Sequence, residues 1–144
     1  MIYDEPIQRL TLADLERGEN IHPPSVILGD CLDVMPHLKD RGVDSFIGDL
    51  PYGTTNNTED VIIDFPRMWK DVTRLLKRGG SFISTASQPF TSMLIMSNLG
   101  MFKYECALVK DKATGHLNCK IAPMRKHENL VVFGKGRIVY NPQL

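Results

Sequence analysis

Cysteine is scarce in this sequence, whose 144 residues include only Cys31, Cys106 and Cys119. An odd number of widely spaced cysteines excludes a framework in which all are disulfide-bonded. No pair has the close spacing of a metal site, so we expect free thiols and no metal. No apolar run approaches the roughly 20 residues of a membrane span, and no signal-peptide pattern opens the chain. The sequence therefore predicts a cytoplasmic protein without a membrane partner.

An excess of charge of one sign is also missing, because 17 Lys and Arg balance 17 Asp and Glu. The charges are nevertheless segregated along the chain. Residues 1–64 hold thirteen acidic and four basic side chains, and residues 65–144 hold the reverse. This asymmetry indicates a basic face with a polyanionic partner. The alternative is that both halves fold together and compensate each other, and the acidic half could also repel or mimic DNA.

Strand-like and helical segments alternate along a chain that has the length of one domain. Such alternation predicts an α/β fold with a mostly parallel sheet and helices on both faces. Within the single domain 1–144 we expect an N-terminal extension at 1–24 and a long, irregular basic loop at 111–128. The expected strands cover 25–28, 43–48, 81–86, 102–110 and 129–133.

One predicted strand ends abruptly in the turn Asp49-Leu50-Pro51-Tyr52. Ligands bind beyond the carboxyl ends of strands in open α/β sheets, which is where this turn would lie. An ionised Asp49 offers acceptors only, the Leu50 carbonyl is a second acceptor, and Tyr52 offers a flat face. This combination suits a planar base with an exocyclic amine. The alternative is an ordinary strand-end turn in which Asp49 caps a backbone N–H and Tyr52 packs.

Further motifs surround the turn in a defined order. They are Val26-Ile-Leu-Gly-Asp-Cys-Leu-Asp-Val-Met-Pro-His-Leu38, Leu75-Leu-Lys-Arg-Gly-Gly80, Ser87-Gln-Pro-Phe-Thr-Ser92 and Pro123-Met-Arg-Lys-His-Glu-Asn-Leu-Val-Val-Phe133. From Val26 onwards the chain resembles the S-adenosylmethionine-dependent DNA amino-methyltransferases, whose signature is [Asp/Asn/Ser]-Pro-Pro-[Tyr/Phe/Trp]. It resembles the catalytic half of the permuted, beta-class enzymes, in which that half precedes the cofactor half. The resemblance implies a partial Rossmann-like methyltransferase sheet, S-adenosylmethionine as cofactor and DNA as partner.

The resemblance also implies roles for single residues. Asp49, Leu50, Pro51 and Tyr52 would be the catalytic turn, with a flipped adenine or cytosine stacked on Tyr52. Asp49 and Asp30 would contact the cofactor, although Asp30 equally fits the N-cap of the next helix. Basic loops beside such a turn suit phosphate contacts. The candidates for DNA binding are Lys112, Lys120, Arg125 and Lys126.

Two departures from the family pattern bear on function. Leu50 replaces the first proline, which leaves the turn less rigid. The Phe-x-Gly-x-Gly loop that holds the methionine part of the cofactor in permuted relatives does not occur, and Gly134-Lys-Gly136 opens no helix pattern. We therefore expect a methyltransferase that a second polypeptide or a homo-oligomer completes. The alternative is a catalytically inactive module that binds DNA, cofactor or a protein partner; a phage and a bacterial restriction-modification system are equally compatible sources.

Overall fold

The structure, a computed structural model, describes residues 6–55, 57, 58 and 60–142. Strands and helices alternate along the chain, with short 3-10 turns at Met35–His37 and His116–Asn118. None of the described helices is both long and apolar enough to span a membrane. The elements are β1 (Gln8–Thr11), α1 (Leu12–Glu16), β2 (Ser25–Leu28), α2 (Cys31–Val34), β3 (Val43–Asp49), α3 (Phe65–Leu75), β4 (Leu76–Ala86), α4 (Phe90–Ser97), β5 (Phe102–Thr114) and β6 (Arg125–Gly134).

The main sheet of the described chain has four strands in the order β3-β4-β6-β5. β3 and β4 run parallel, whereas β6 runs antiparallel to both β4 and β5. The sheet is therefore mixed, and the prediction of a mostly parallel sheet is wrong. The reason is that β5 returns directly into β6 through a turn, which produces an antiparallel pair, instead of crossing over through a helix. β1 and β2 form a separate parallel pair.

Trp69 of α3 lies at the centre of the core, between the sheet and the helices α3 and α4. Its ring centroid is 5.1 Å from that of Phe82 and 4.8 Å from that of Phe133, and its Nε1 donates to Ser97 Oγ at 2.8 Å. These contacts define the face of the sheet that α3 and α4 cover. On the other face of β3, Ile47 is 81% exposed. The described residues thus form no second helix layer over this strand.

Side chains that accept backbone hydrogen bonds fix where the helices begin. At α1, Thr11 and Asp14 form a reciprocal capping box, in which Thr11 N donates to Asp14 Oδ2 at 2.6 Å. At α2, Asp30 Oδ1 accepts from Leu32 N at 2.8 Å. Asp64 caps α3 in the same way. The interpretation of Asp30 as an N-cap is therefore confirmed.

Strands β5 and β6 extend into the segment predicted to be an irregular basic loop at 111–128. β5 continues to Thr114 and β6 begins at Arg125. The prediction is therefore wrong at both ends of that segment. The ladder between the two strands reaches the pair Thr114 and Arg125 after a register shift between Val109 and Thr114. Pairing with a neighbouring strand, which local composition does not report, extends both strands.

We expect Phe133→Ala to lower the free energy of unfolding by about 3–5 kcal/mol, because Phe133 is fully buried among aromatic rings and its removal leaves a cavity. Urea titration followed by circular dichroism measures this. The matched control is Leu117→Ala, since Leu117 is 87% exposed and should cost less than about 0.5 kcal/mol. Equal losses in the two variants would contradict this assignment of the core.

Candidate active site

The parallel pairing of β3 and β4 places Asp49 opposite Thr85 at the carboxyl ends of both strands. An open cavity of about 440 Å³ lies beyond this edge. A site at the carboxyl edge of the parallel strands agrees with the general position of ligands in open α/β sheets. The lining residues are Asp49, Leu50, Pro51, Tyr52, Thr54, Thr55, Asn57 and Asp60. The four residues of the predicted catalytic turn thus share one cavity.

Hydrogen bonds from two hydroxyl groups hold the Asp49 carboxylate. Tyr52 OH donates to Asp49 Oδ1 at 2.9 Å, and Thr85 Oγ1 donates to the same oxygen. The two hydroxyl oxygens lie 3.0 Å apart. Within the described chain, Asp49 Oδ2 accepts no hydrogen bond. This second oxygen therefore keeps its capacity to accept a hydrogen bond from a ligand.

Tyr52 joins the cavity to the core. Its ring stacks on Phe90 of α4, with centroids 5.1 Å apart and planes inclined by 22°, so that one aromatic face is occupied. Burial raises the pKa of Tyr52 to about 12, and the neighbouring Asp49 carboxylate adds to the rise. The hydroxyl therefore stays protonated near neutral pH and can keep donating to Asp49.

Asp60 organises the loop that follows the catalytic turn. Its carboxylate accepts hydrogen bonds from the backbone N–H groups of Gly53 and Thr54, both at 2.9 Å, and of Thr55 at 2.7 Å. Thr55 Oγ1 also donates to it, at 2.8 Å. These bonds, led by that of the Thr55 hydroxyl, lower the pKa of Asp60 from 3.8 to about 2. Asp60 thus closes one wall of the cavity through a structural role.

Gly53 is required at the bend of this loop for two reasons. Its φ of +65° lies in the left-handed region that side chains with a Cβ rarely adopt. A Cβ at this position would also lie 2.7 Å from Ile62 Cγ1. The glycine therefore lets the chain turn tightly around the mouth of the cavity.

Asp30 follows β2, which belongs to the two-stranded pair and not to the sheet that carries the catalytic turn. One oxygen caps α2, as described above, and no described hydrogen bond connects it to Asp49. A contact of Asp30 with a cofactor stays a prediction, as does that of Asp49.

Of the four predicted DNA-binding residues, Arg125 alone has described hydrogen bonds to the turn that follows β4. Its Nη1 donates to Ser87 Oγ at 3.0 Å and to the Gln88 carbonyl at 2.9 Å, in the turn that follows β4. Lys112 on β5, Lys120 beyond the 3-10 turn and Lys126 on β6 are exposed. Their contact with DNA stays a prediction.

Sequence reasoning missed Thr85, Phe90 and Asp60. Thr85 lies 36 residues from Asp49 and meets it only because the two strands pair in parallel. The signal that could have found it is its place near the end of the next predicted strand, since parallel strands end at the same edge. Phe90 and Asp60 carry no comparable signal in the sequence.

Comparison with known proteins gives results at the level of structure alone. No family model and no curated protein matches the chain. TTHA0409 of Thermus thermophilus, which bears the name "Putative DNA Modification Methylase", aligns in its selenomethionine form with a TM-score of 0.60 and 16% identity. The alignment covers 96% of this chain and 57% of that one. The chain therefore shares the fold of this structure over the aligned part.

A second structure of TTHA0409, complexed with S-adenosyl-L-methionine, aligns with a TM-score of 0.55 and 16% identity. Here the alignment covers 94% of this chain and 59% of that one. This chain therefore spans less than two thirds of the length of these two structures. At this level of identity the shared property is the fold.

Asp60 should make the loop sensitive to acid. Because its pKa is lower in the folded state, its contribution to stability is present above about pH 4 and is lost as the pH falls through about 2. We expect the difference in urea midpoint between wild type and Asp60→Asn to shrink over this window. The control is Asp111→Asn, an exposed site on β5. If the difference in urea midpoint between wild type and Asp60→Asn does not change with pH, the role given to Asp60 is wrong.

Proposed function

We propose that this chain carries the base-binding part of an S-adenosylmethionine-dependent DNA methyltransferase that modifies the exocyclic amine of adenine or cytosine. The observation that carries the proposal is the Asp49 carboxylate, held by Tyr52 and Thr85 at the floor of a cavity at the carboxyl edge of β3 and β4. One carboxylate oxygen is fixed by the protein, and the other is left to accept from an amino group.

The proposed mechanism depends on positioning. A base within a duplex is inaccessible, so it would be flipped into the cavity. Its amino group would donate to Asp49 Oδ2 and to the Leu50 carbonyl, while the ring would lie against the face of Tyr52 that Phe90 leaves open. These acceptors orient the lone pair of the amino nitrogen. The cofactor supplies an electrophilic methyl group on a sulfonium centre, and the chain contributes orientation and electrostatics.

The described residues fit the cofactor in part. The carboxylates of Asp30 and Asp49 suit its ribose hydroxyls or its ammonium group. A glycine turn for its methionine carboxylate is not formed beside Asp49 in the described chain. Gly134 is the last residue of β6 and pairs with Ser81 of β4, and Gly136 follows it, so both lie at the end of the sheet opposite to Asp49.

We further propose that a second protein chain completes the cofactor pocket. β3, which carries Asp49, is the terminal strand of the sheet, and Ile47 beside it is 81% exposed. A terminal strand presents backbone groups that a further strand can pair with. A second polypeptide or a homo-oligomer would dock there, next to the base site.

We also propose that the predicted basic residues guide DNA to the cavity. Arg125 is anchored beside the turn after β4, and the exposed side chains of Lys112, Lys120 and Lys126 would contact phosphates along the arm formed by β5 and β6. The setting would be the cytoplasm of a bacterial or phage-infected cell, in a restriction-modification system or a phage.

The second candidate function is a catalytically inactive module that binds DNA, the cofactor or a protein partner. Two observations favour it. The first is that Asp49 Oδ1 already accepts two internal hydrogen bonds, which would suffice for a purely structural carboxylate. The substitution of Leu50 for the first proline of the family signature points the same way.

Calorimetric titration of the purified chain with S-adenosylmethionine comes first. Micromolar binding means that the chain, alone or as an oligomer, forms the cofactor pocket. Without binding, the assay is repeated with the proteins that co-purify with the chain. If neither preparation binds S-adenosylmethionine, the result favours the inactive module.

Transfer of a labelled methyl group to DNA then tests the role of Asp49. We expect Asp49→Ala to lower the rate by about 100-fold or more, because it removes the acceptor that orients the amine. The control is Asp44→Ala, at the other end of β3, which should leave the rate within about twofold. If Asp49→Ala transfers methyl groups at the wild-type rate, the proposed mechanism is wrong.

Thr85 is proposed as a positioning residue that acts through Asp49. Thr85→Val keeps the shape of the side chain and removes the hydroxyl that donates to Asp49, so we expect kcat to fall by about 10- to 100-fold. KM for DNA should change little, because the substrate contacts remain. Thr85→Ser, which keeps the hydroxyl, should restore most of the rate. A failure of Ser to rescue would indicate a packing role only.

A further inference from the structure

Two adjoining cavities lie at the end of the sheet opposite to Asp49. One, of about 620 Å³, is lined by Lys103, Tyr104, Cys106, Gly136, Arg137, Ile138 and Tyr140. The other, of about 410 Å³, is lined by Arg41, Leu76, Arg78, Lys135 and Gly136. Gly136 lines both, so the two cavities adjoin, and we name their combined lining the distal basic surface.

The charge of the distal basic surface has one sign. No described carboxylate lines either cavity. The lining of the two cavities contains five Lys and Arg side chains, and none of these five cations forms an ion pair within the described chain. Asp44, at the start of β3, is paired with Lys77 Nζ at 2.7 Å. The five cations, which are therefore open to an external anion, are Arg41, Arg78, Lys103, Lys135 and Arg137.

The segment after β6 brings these cations together by folding back over the start of β4. Val139 N donates to the Gly79 carbonyl at 3.3 Å. A Cβ at Gly134 would lie 2.0 Å from Ile138 Cγ2, so only glycine permits this close return of the chain. The Arg137 carbonyl lies 3.5 Å from where a Cβ of Gly79 would be, so the Arg137 backbone lies beside the residue that follows Arg78. The arrangement is thus built by the backbone.

Two exposed tyrosines border the larger cavity. The rings of Tyr104 and Tyr140 are 6.3 Å apart and inclined at 75°, and the residues are 38% and 70% exposed. Their edge-to-face contact leaves ring faces accessible to a planar ligand. Aromatic faces next to cations are the features with which proteins bind unpaired bases and their phosphates.

We propose that the distal basic surface binds a single strand of nucleic acid, with phosphates on the cations and a base against Tyr140. The seven residues of β3 span roughly 20 Å at about 3.3 Å per residue, so this surface is separate from the cavity at Asp49. An acidic peptide would use the cations but would have no need of exposed tyrosines beside an apolar cavity. The features together therefore favour a nucleic acid over an acidic protein.

Fluorescence anisotropy with a labelled single strand of about 12 nucleotides tests this surface. We expect the double variant Arg78→Gln/Arg137→Gln to bind at least about tenfold more weakly. The slope of log K against log salt should fall by about 0.7 for each phosphate that the variant no longer neutralises. Tyr140→Leu should weaken binding at least about fivefold through the loss of stacking. Both variants leave Lys112, Lys120, Arg125 and Lys126 in place, so a loss of binding at the distal basic surface is distinguishable from a failure of the proposed function.

The control variant is Lys39→Gln/Lys70→Gln, which removes two exposed cations outside the distal basic surface. An equal loss of affinity in this control would mean that binding is non-specific, and would overturn the proposal. A mononucleotide that binds as tightly as the strand would also overturn it. So would polyglutamate that displaces the strand more effectively than unlabelled strand does, since the partner would then be an acidic protein.

Cys106 lines the larger cavity and provides a local probe. We expect bound strand to slow alkylation of Cys106 by iodoacetamide several-fold in wild type and not in Arg78→Gln/Arg137→Gln. Cys31, exposed elsewhere on α2, serves as the internal reference. Unchanged alkylation of Cys106 at saturating strand would place the strand elsewhere and contradict the proposal.

Discussion

The parallel pairing of β3 with β4 is the constraint on which the candidate site depends. It sets Asp49 beside Thr85, and Tyr52 then completes the group by reaching back three residues to the same oxygen. Because side chains alternate across a sheet, a slip of one residue would turn Asp49 to the opposite face. The packing of Phe46 against Phe82 on the covered face opposes such a slip. The core and the site are therefore fixed by one register.

Two carboxylates near the cavity illustrate how environment divides their tasks. Asp60 accepts hydrogen bonds from three backbone N–H groups and one hydroxyl, which uses its acceptors to hold a loop. Asp49 receives both of its internal bonds on one oxygen, so the other can serve a ligand. The same chemical group is thus structural in one place and a candidate for binding in the other.

Local signals in the sequence predicted local structure well. The strand before Asp49 and the cap at Asp30 depend on residues a few positions apart, and the structure contains them. The antiparallel placement of β6 depends on partners far along the chain and was not predicted. The same is true of the contact between Asp49 and Thr85. The catalytic turn could be predicted because its four residues are consecutive, whereas the residues that hold it in place come from other elements.

The terminal position of β3 has a consequence for the behaviour of the isolated chain. A strand at the edge of a sheet is a template for any other strand, including that of a second copy. The exposed Ile47 adds an apolar contact at the same place, and β3 contains neither lysine nor proline, two residues that commonly discourage such pairing. Without a protein that covers this edge, the chain has an inherent route to self-association and aggregation. Solubility would therefore depend on the same surface that the proposed partner uses.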